Sequence, residues 1–199
     1  MSDLAVKRMS LAEFLRWEDG TDTRYELVDG VPTAITPPAV AHGRLSVRLG
    51  ARIDAALQKR PPCFGQSEAG IARPDRDDTF YVADLGVSCT APEPRGQMLR
   101  DPVLIVEILS PSTIVADRQE KIPAYRQIAS VQEIVALDSE RVFAEVMRRE
   151  GERWITELVQ GRNAVLSLAS IGLTVAMSDL YDGIELPETP RRQQGRRAP

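Results

Sequence analysis

The chain has 199 residues, of which 43% are hydrophobic and 27% charged, so a single globular domain with an ample core is expected. No stretch approaches the ~20 apolar residues of a membrane span, and the N-terminus lacks the apolar core of a signal peptide, which together predict a cytoplasmic protein. His42 is the single histidine, and Cys63 and Cys89 have no CxxC spacing, which excludes a histidine-rich zinc site and a disulfide framework.

A first helix is predicted to begin at Ser10, because Ser10 and Glu13 have the spacing of a capping box ahead of an apolar run. Residues 24–28 then have the composition of a strand. Asp29-Gly30 predicts a tight hairpin turn into a second strand over residues 31–36.

Glu26 lies in the first of these strands, where strand alternation places it on the face opposite Tyr25 and Leu27. An ordinary surface glutamate and an accessory role in a site both remain open for it.

The second helix is predicted over residues 40–59, because apolar residues recur every four positions and form one buried stripe. Arginines recur at the same spacing beside that stripe, at Arg44, Arg48 and Arg52. This row is either a solvated face or a surface that contacts a phosphate backbone.

Two apolar strands, predicted over residues 79–87 and 103–109, each contain one carboxylate, Asp84 and Glu107. A charge buried in such a strand needs a compensating cation, metal or hydrogen-bond network, because leaving it unpaired costs several kcal/mol. If the two strands are neighbours, both acids can reach one cation. Structural carboxylates satisfied by backbone donors or an arginine are the alternative.

Lys121 follows the Glu107 strand in a segment with helical character, in which Pro123 requires either a late helix start or a bend. A helix folded back over the strand end would bring Lys121 close to Glu107. A lysine there could stabilise developing negative charge or orient an attacking water; a surface lysine is the alternative.

Further strands are predicted after this helix, at residues 133–138, in a hairpin over 141–159, and at 165–168 and 172–175. The element order predicts an α/β fold with a central mixed sheet flanked by helices. Neither a GxxxxGK[ST] nor a GxGxxG loop is present, which argues against nucleotide hydrolases and Rossmann dehydrogenases. The exposed edge of the 141–159 hairpin favours pairing between subunits, so a homodimer is a further expectation.

The last 13 residues differ in composition from the rest. Residues 187–199 are rich in Pro, Gln, Gly and Arg and have a charge of +3, which leaves −7 for residues 1–186. We therefore expect one domain over residues 1–186 and a disordered Arg-rich tail over 187–199.

Several motifs resemble those of the Uma-two family: RYELVDG at 24–30, the histidine at 42, ADLGV at 83–87, VEILSPST at 106–113 and EKIPAY at 120–125. The resemblance runs from about residue 9 to 186. It implies a restriction-endonuclease-like fold and a variant PD-(D/E)xK nuclease site, with Mg²⁺ or Mn²⁺ as cofactor and nucleic acid, most simply DNA, as substrate.

By this resemblance Asp84 and Glu107 would bind the metal, Lys121 would replace the lysine of the motif, and Glu26 would be an additional ligand or base. The sequence departs from the superfamily pattern at Ala83, where the motif has proline, and at Leu109, where it has lysine. Because Leu109 lies on the same face as Glu107, a lysine from the next helix has to restore the missing charge.

Two other functions are consistent with the sequence. The first is a catalytically silent module on the same fold that binds nucleic acid or protein, which metal binding would distinguish from an enzyme. The second is a glycosidase with a carboxylate pair, which usually has exposed aromatic platforms, whereas aromatic residues make up only 5% of this chain.

Overall fold

The computed structural model describes residues 8–187. The predicted tail therefore lies outside the described residues, apart from Pro187. Over the described range, none of the helices has both the length and the apolar character that crossing a membrane requires.

The chain forms five α-helices, one π-helical turn and ten strands within this range. The helical segments are α1 (Leu11–Phe14), α2 (Val40–Leu57), α3 (Ile114–Ala116), the π turn (Asp117–Lys121), α4 (Ile122–Arg126) and α5 (Met177–Leu180). The first five strands are β1 (Tyr25–Val28), β2 (Val31–Ala34), β3 (Phe64–Ala72), β4 (Phe80–Ser88) and β5 (Pro102–Leu109). The other five are β6 (Glu133–Asp138), β7 (Phe143–Glu150), β8 (Arg153–Gln160), β9 (Val165–Leu168) and β10 (Leu173–Ala176).

Eight strands form one mixed sheet in the order β2-β1-β4-β5-β6-β7-β8, with β3 also paired to β4. The β5–β6 pair is parallel, and every other pair of this sheet is antiparallel. The strands β9 and β10 form a separate two-stranded sheet. The predicted α/β class with a central mixed sheet flanked by helices is confirmed.

Each face of the main sheet has its own core. The α2 helix packs its apolar stripe on one face together with β9, β10 and α5; that stripe is Leu45, Leu49, Ile53 and Leu57, all buried as the four-residue spacing predicts. The segment from α3 to α4 covers the other face, where Tyr125 is completely buried among residues of β4, β5 and β6. Central strands are thus covered on both sides, which explains their nearly continuous apolar sequences.

The ladder between β4 and β5 ends at Leu85, which pairs with Val106. The start of β4 instead pairs with β1 through Phe80 and Leu27. The sheet therefore forks along β4, and Asp84 is the residue at the fork. Opposite Asp84, the residue Glu68 of β3 has a positive φ of 51°, which interrupts the regular β3–β4 pairing.

Local signals predicted most element positions. The capping box of Ser10 and Glu13 is present, and α1 ends at Phe14. The residues on either side of Glu68 belong to one strand, β3. The hairpin predicted over residues 141–159 is present as β7 and β8, paired from Glu150 and Arg153 outward.

The two cysteines are not separate, as their spacing suggested, but form a disulfide between Cys63 and Cys89. Cys63 directly precedes Phe64 of β3, and Cys89 directly follows Ser88 of β4. Because Phe64 and Ser88 are paired, the antiparallel pairing brings the two cysteines side by side. A sequence separation of 26 residues gave no indication of this contact.

The arginine row of α2 contacts the C-terminal segment. Arg44 donates to the carbonyl of Gly183 at 2.5 Å, and Arg48 donates to the carbonyl of Asp179 at 2.5 Å. Arg52 lies 3.6 Å from the Asp179 carboxylate. The row therefore attaches α5 and the following turn to α2, and contact with a phosphate backbone stays a prediction.

Candidate functional site

Asp84 lies at the fork of the sheet, where β4 and β5 diverge. Its side chain accepts a hydrogen bond from a backbone amide of β5 that no longer pairs with the backbone of β4. Its Oδ2 atom accepts a hydrogen bond from the amide of Ile108 at 2.6 Å. Its Oδ1 atom lies 3.1 Å from Nε2 of His42, which belongs to the first turn of α2. The carboxylate is thus oriented from β5 on one side and from α2 on the other.

Glu107 is in β5 and is only 2% exposed. Its Oε1 atom accepts a hydrogen bond of 2.5 Å from the hydroxyl of Tyr125 in α4. The Nζ atom of Lys121 lies 3.8 Å from the same oxygen. Both contacts come from the segment that folds back over the strand end.

Lys121 contacts three carboxylates of the site, those of Glu26, Glu107 and Asp117. Its Nζ atom is 2.7 Å from Oε1 of Glu26 and 3.6 Å from Oδ1 of Asp117, and it donates to the carbonyl of Val82 at 3.3 Å. Glu26 accepts a hydrogen bond from the Val82 amide at 2.8 Å through the same Oε1 atom. Strands β1, β4 and β5 and the π turn therefore meet at this one ammonium group.

The π turn explains how both ends of the segment 117–121 face inward. Its closing hydrogen bond runs from the amide of Ile122 to the carbonyl of Asp117, five residues back. Pro123 follows within the first turn of α4, and it can neither donate a backbone hydrogen bond nor fit closely against the preceding turn. The wider turn accommodates the proline and leaves Asp117 and Lys121 both buried against the sheet.

Two members of the site were not identified as site residues from the sequence. They are Asp117 of the π turn and His42 of α2. In the structure the side chain of His42 does not cap α2, and its Nδ1 atom is buried and has no hydrogen-bond partner among residues 8–187. The only sequence signal for His42 was its place among the family motifs, and Asp117 had none.

Burial dominates the electrostatics of the site. Burial raises the pKa of Glu107 well above its ordinary value; Lys121 opposes this shift, whereas Asp84 and Asp117 reinforce it. Burial likewise raises the pKa of Asp117, again against the effect of Lys121. For Lys121, burial favours the neutral amine, but the carboxylates of Glu107, Glu26 and Asp117 outweigh it and raise the pKa above its ordinary value.

The charges of the site do not balance. Four carboxylates converge here: Glu26, Asp84, Glu107 and Asp117. Among the described residues, the one lysine or arginine side chain that forms an ion pair with any of them is Lys121, and His42 contacts Asp84. An excess of negative charge in a poorly hydrated site is the condition that a divalent cation relieves. Carboxylate oxygens are also the ligands that Mg²⁺ prefers.

The donor set suits a metal that keeps much of its own water. Within residues 8–187, no group of three or more His, Cys, Asp or Glu side chains is arranged to enclose a metal ion. Mg²⁺ characteristically uses one or two carboxylates and retains several waters. A pair formed by Asp84 and Glu107 at the fork fits Mg²⁺ or Mn²⁺ and does not fit a closed, all-protein cage.

A cleft of about 540 Å³ adjoins the site on the α1 side of β4. Val82 lines this cleft, and the backbone of the same residue contacts Glu26 and Lys121. The structure therefore brings Glu26, Asp84, Glu107 and Lys121 together beside a cleft, and places Arg44, Arg48 and Arg52 apart from them on α2, in contact with the C-terminal segment.

Comparison with known proteins gives sequence relatives over most of the chain. Two uncharacterized proteins of Synechocystis sp. are similar to it: one is 27% identical over 179 residues, covering 89% of this chain and 93% of the relative, and the other is 26% identical over 170 residues, covering 82% and 94%. Their descriptions assign no activity.

A solved structure shares the fold. The crystal structure of a protein from Anabaena variabilis, described as "a putative nuclease", matches with a TM-score of 0.68 at 20% sequence identity and covers 87% of this chain and 97% of that one. The family model Uma2, described as "Putative restriction endonuclease", matches residues 11–178. That match spans α1 to the start of α5, including all the site residues described above, and the chain therefore belongs to the Uma2 family.

Proposed function

We propose that this protein is a metal-dependent nuclease that hydrolyses phosphodiester bonds in nucleic acid, with DNA as the substrate. The observation that carries the proposal is the convergence of Glu26, Asp84, Glu107 and Lys121 at the fork between β4 and β5. Membership of a family described as "Putative restriction endonuclease" supports the reaction class.

We assign Asp84 and Glu107 as the residues that hold Mg²⁺ or Mn²⁺. When bound, such an ion acidifies a coordinated water and offsets negative charge on a phosphoryl group. His42 and the amide of Ile108 hold the Asp84 carboxylate in place, and Tyr125 does the same for Glu107. This preorganisation reduces the rearrangement that catalysis requires.

Lys121 supplies the positive charge that the usual motif places two residues after the glutamate. Its ammonium, 3.8 Å from Glu107, is assigned to the non-bridging oxygens of the phosphate or to the attacking water. Glu26 keeps this ammonium protonated and oriented through a contact of 2.7 Å. Glu26 is therefore a positioning residue for Lys121 in this proposal.

The test is cleavage of labelled duplex DNA, single-stranded DNA and RNA by the purified full chain, with Mg²⁺, with Mn²⁺ or with EDTA. We expect cleavage that requires the metal and falls by at least ~100-fold in Glu107→Gln, which removes a proposed metal ligand, and in Lys121→Met, which removes the cation assigned to the phosphate. Glu120→Gln and Lys59→Met are matched controls at exposed positions and should cleave like the wild type.

One observation favours a catalytically silent module instead: Lys121 is already engaged by three carboxylates. Such a module would show no metal-dependent cleavage and no Mn²⁺ binding that depends on Asp84. Cleavage that persists in both Glu107→Gln and Lys121→Met would indicate a contaminating enzyme and would refute the proposal.

A further inference from the structure

The cleft beside the site is lined by aromatic rings that follow one another from α1 to β4. The Trp17 and Tyr25 rings meet edge to face with centroids 5.0 Å apart, and Phe14 lies 6.4 Å from Trp17 and 5.7 Å from Phe80. All four residues line the cleft. This concentration is notable in a chain with only 5% aromatic residues.

These rings are accessible from the cleft. Phe14, Trp17 and Tyr25 are partly exposed, whereas Phe80 is buried beneath them. A cluster that served only to attach α1 would bury its rings more completely, as the other core aromatic residues Tyr125 and Tyr181 are buried. The volume of about 540 Å³ is within the usual range for a small-molecule pocket.

The charges at the rim of the cleft almost cancel. The rim carries two arginines and three acids: Arg16, Arg24, Glu18, Asp19 and Glu68. Arg24 forms an ion pair with Glu68, and Asp19 accepts a hydrogen bond of 2.6 Å from the Tyr25 hydroxyl. Such a rim offers little attraction to a phosphate, so a ligand in the cleft should be uncharged and flat.

The cleft lies close to Asp84, one of the two residues proposed to hold the metal. Phe80 and Val82 of β4 line the cleft, and Asp84 lies two residues further along the same strand. Two residues of strand span about 7 Å, so the cleft floor at Val82 lies about that far along the strand from Asp84. Neighbouring bases on one nucleic-acid strand are about 3.4 Å apart when stacked, so this distance corresponds to one or two nucleotides.

From this juxtaposition we propose that the cleft binds an unpaired nucleobase of the substrate, stacked on Trp17 with Tyr25 at its edge, while the adjacent phosphate lies at the Asp84–Glu107 pair. The inference rests on the proposed function, because it assumes a nucleic-acid substrate. It makes a single-stranded or locally unpaired region the substrate class. Aromatic stacking accepts every base, so the cleft selects for an unpaired base without reading its identity.

Fluorescence of Trp17 tests this directly, because the chain has only two tryptophans. Trp154 lies on β8 under Arg149, whose guanidinium is 4.6 Å from the indole centroid, so it is on a different part of the sheet. The full chain carrying Trp154→Phe would be titrated with an eight-residue thymidine oligomer in EDTA. The comparison ligands are an abasic oligomer of equal length and a blunt duplex.

We expect saturable quenching of Trp17 emission by the thymidine oligomer, with the abasic oligomer and the duplex binding at least ~10-fold more weakly. In the matched variant Trp17→Phe, which retains Trp154, the emission should not respond to the oligomer. Anisotropy with a labelled oligomer should show about 10-fold weaker binding by Trp17→Ala, and a smaller loss for Trp17→Phe, which keeps a ring.

Absence of Trp17 quenching, or equal affinity for the abasic oligomer, would overturn the inference and leave the rings as packing for α1. The two proposals fail separately, since the titration contains EDTA and needs no cleavage. Quenching without any nuclease activity would refute the proposed function alone. Metal-dependent cleavage without quenching would refute the nucleobase site alone.

Discussion

Glu107 and Glu133 are both buried acids in apolar strands, and their different partners separate a candidate functional carboxylate from a structural one. Glu133 lies 2.8 Å from Nε of Arg148 and also accepts hydrogen bonds from the backbone and side chain of Ser170. Its charge therefore has an arginine and several donors. Glu107 has the Tyr125 hydroxyl and a lysine that it shares with two other acids.

Because the partners of Glu107 compensate its negative charge only in part, we expect Glu107→Gln to be more stable than the wild type in EDTA. The size of this difference should depend on pH. Because burial raises the pKa of Glu107 in the folded protein, its contribution to stability is full below the ordinary carboxyl pKa and is lost as pH rises through the raised value. The variant should therefore be more stable than the wild type at pH 8, where the buried glutamate is ionised and the glutamine is neutral. The difference should shrink towards pH 4.

Urea unfolding at pH 4, 6 and 8 measures this difference, with Glu120→Gln, at an exposed position of the π turn, as the control. A variant that is less stable than the wild type at pH 8 would contradict the prediction. It would mean that Lys121 and Tyr125 compensate the carboxylate fully.

His42 is predicted to act on metal affinity through Asp84. Its Nε2 atom is 3.1 Å from Oδ1 of Asp84, and second-sphere donors of this kind typically change metal affinity 10–100-fold. We expect His42→Ala to weaken Mn²⁺ binding by about 10-fold in calorimetry. His42→Gln, whose amide can donate to Asp84, should recover most of the affinity; equal Mn²⁺ affinity in His42→Ala and the wild type would exclude this role.

At the scale of elements, the fork in the sheet and the π turn do the positioning. Because β4 diverges from β5, the amide of Ile108 donates its hydrogen bond to the side chain of Asp84. The π turn directs Asp117 and Lys121 to the same side, where Lys121 reaches the carboxylate of β1 and the carboxylate of β5. Two irregularities of regular structure thus create the site, as is common for functional positions.

The disulfide between Cys63 and Cys89 ties the outer end of the β3–β4 hairpin. Closing a loop with a sequence separation of 26 residues restricts the unfolded chain, which stabilises the fold by up to about 3.5 kcal/mol. The double variant Cys63→Ser and Cys89→Ser should lose about that amount in urea unfolding. Dithiothreitol should lower the stability of the wild type and leave the variant unchanged; no response of the wild type would contradict the prediction.

At the scale of the whole molecule, the sheet ends at β8, whose only partner strand within the described range is β7. This free edge carries Ile155 and Leu158, which are 49% and 64% exposed. Unpaired backbone groups beside exposed apolar side chains favour addition of a further strand. The homodimer expected from the sequence therefore remains a prediction with a definite location.

Sedimentation velocity at tens of micromolar should show a dimer for the wild type and a monomer for Leu158→Lys, because a lysine on the edge opposes strand addition. The matched control is Val165→Lys on β9, which alters a residue that is 54% exposed away from this edge and should leave the dimer intact. A monomeric wild type would rule out the dimer.

The sequence by itself determined the parts of this protein that depend on neighbouring residues: the Ser10–Glu13 cap, the α2 stripe, the hairpin turns and the strands that contain Asp84 and Glu107. These follow from local hydrogen bonding and from the periodicity of burial. Tertiary structure alone decided that His42 reaches Asp84, that Asp117 joins Lys121, that the two cysteines pair and that the α2 arginines contact α5. Most of these contacts join residues that are far apart in sequence, so strand order, the fork and helix packing decide which residues meet. The contact between Asp117 and Lys121 is local in sequence, but it depends on how the π turn packs on the sheet.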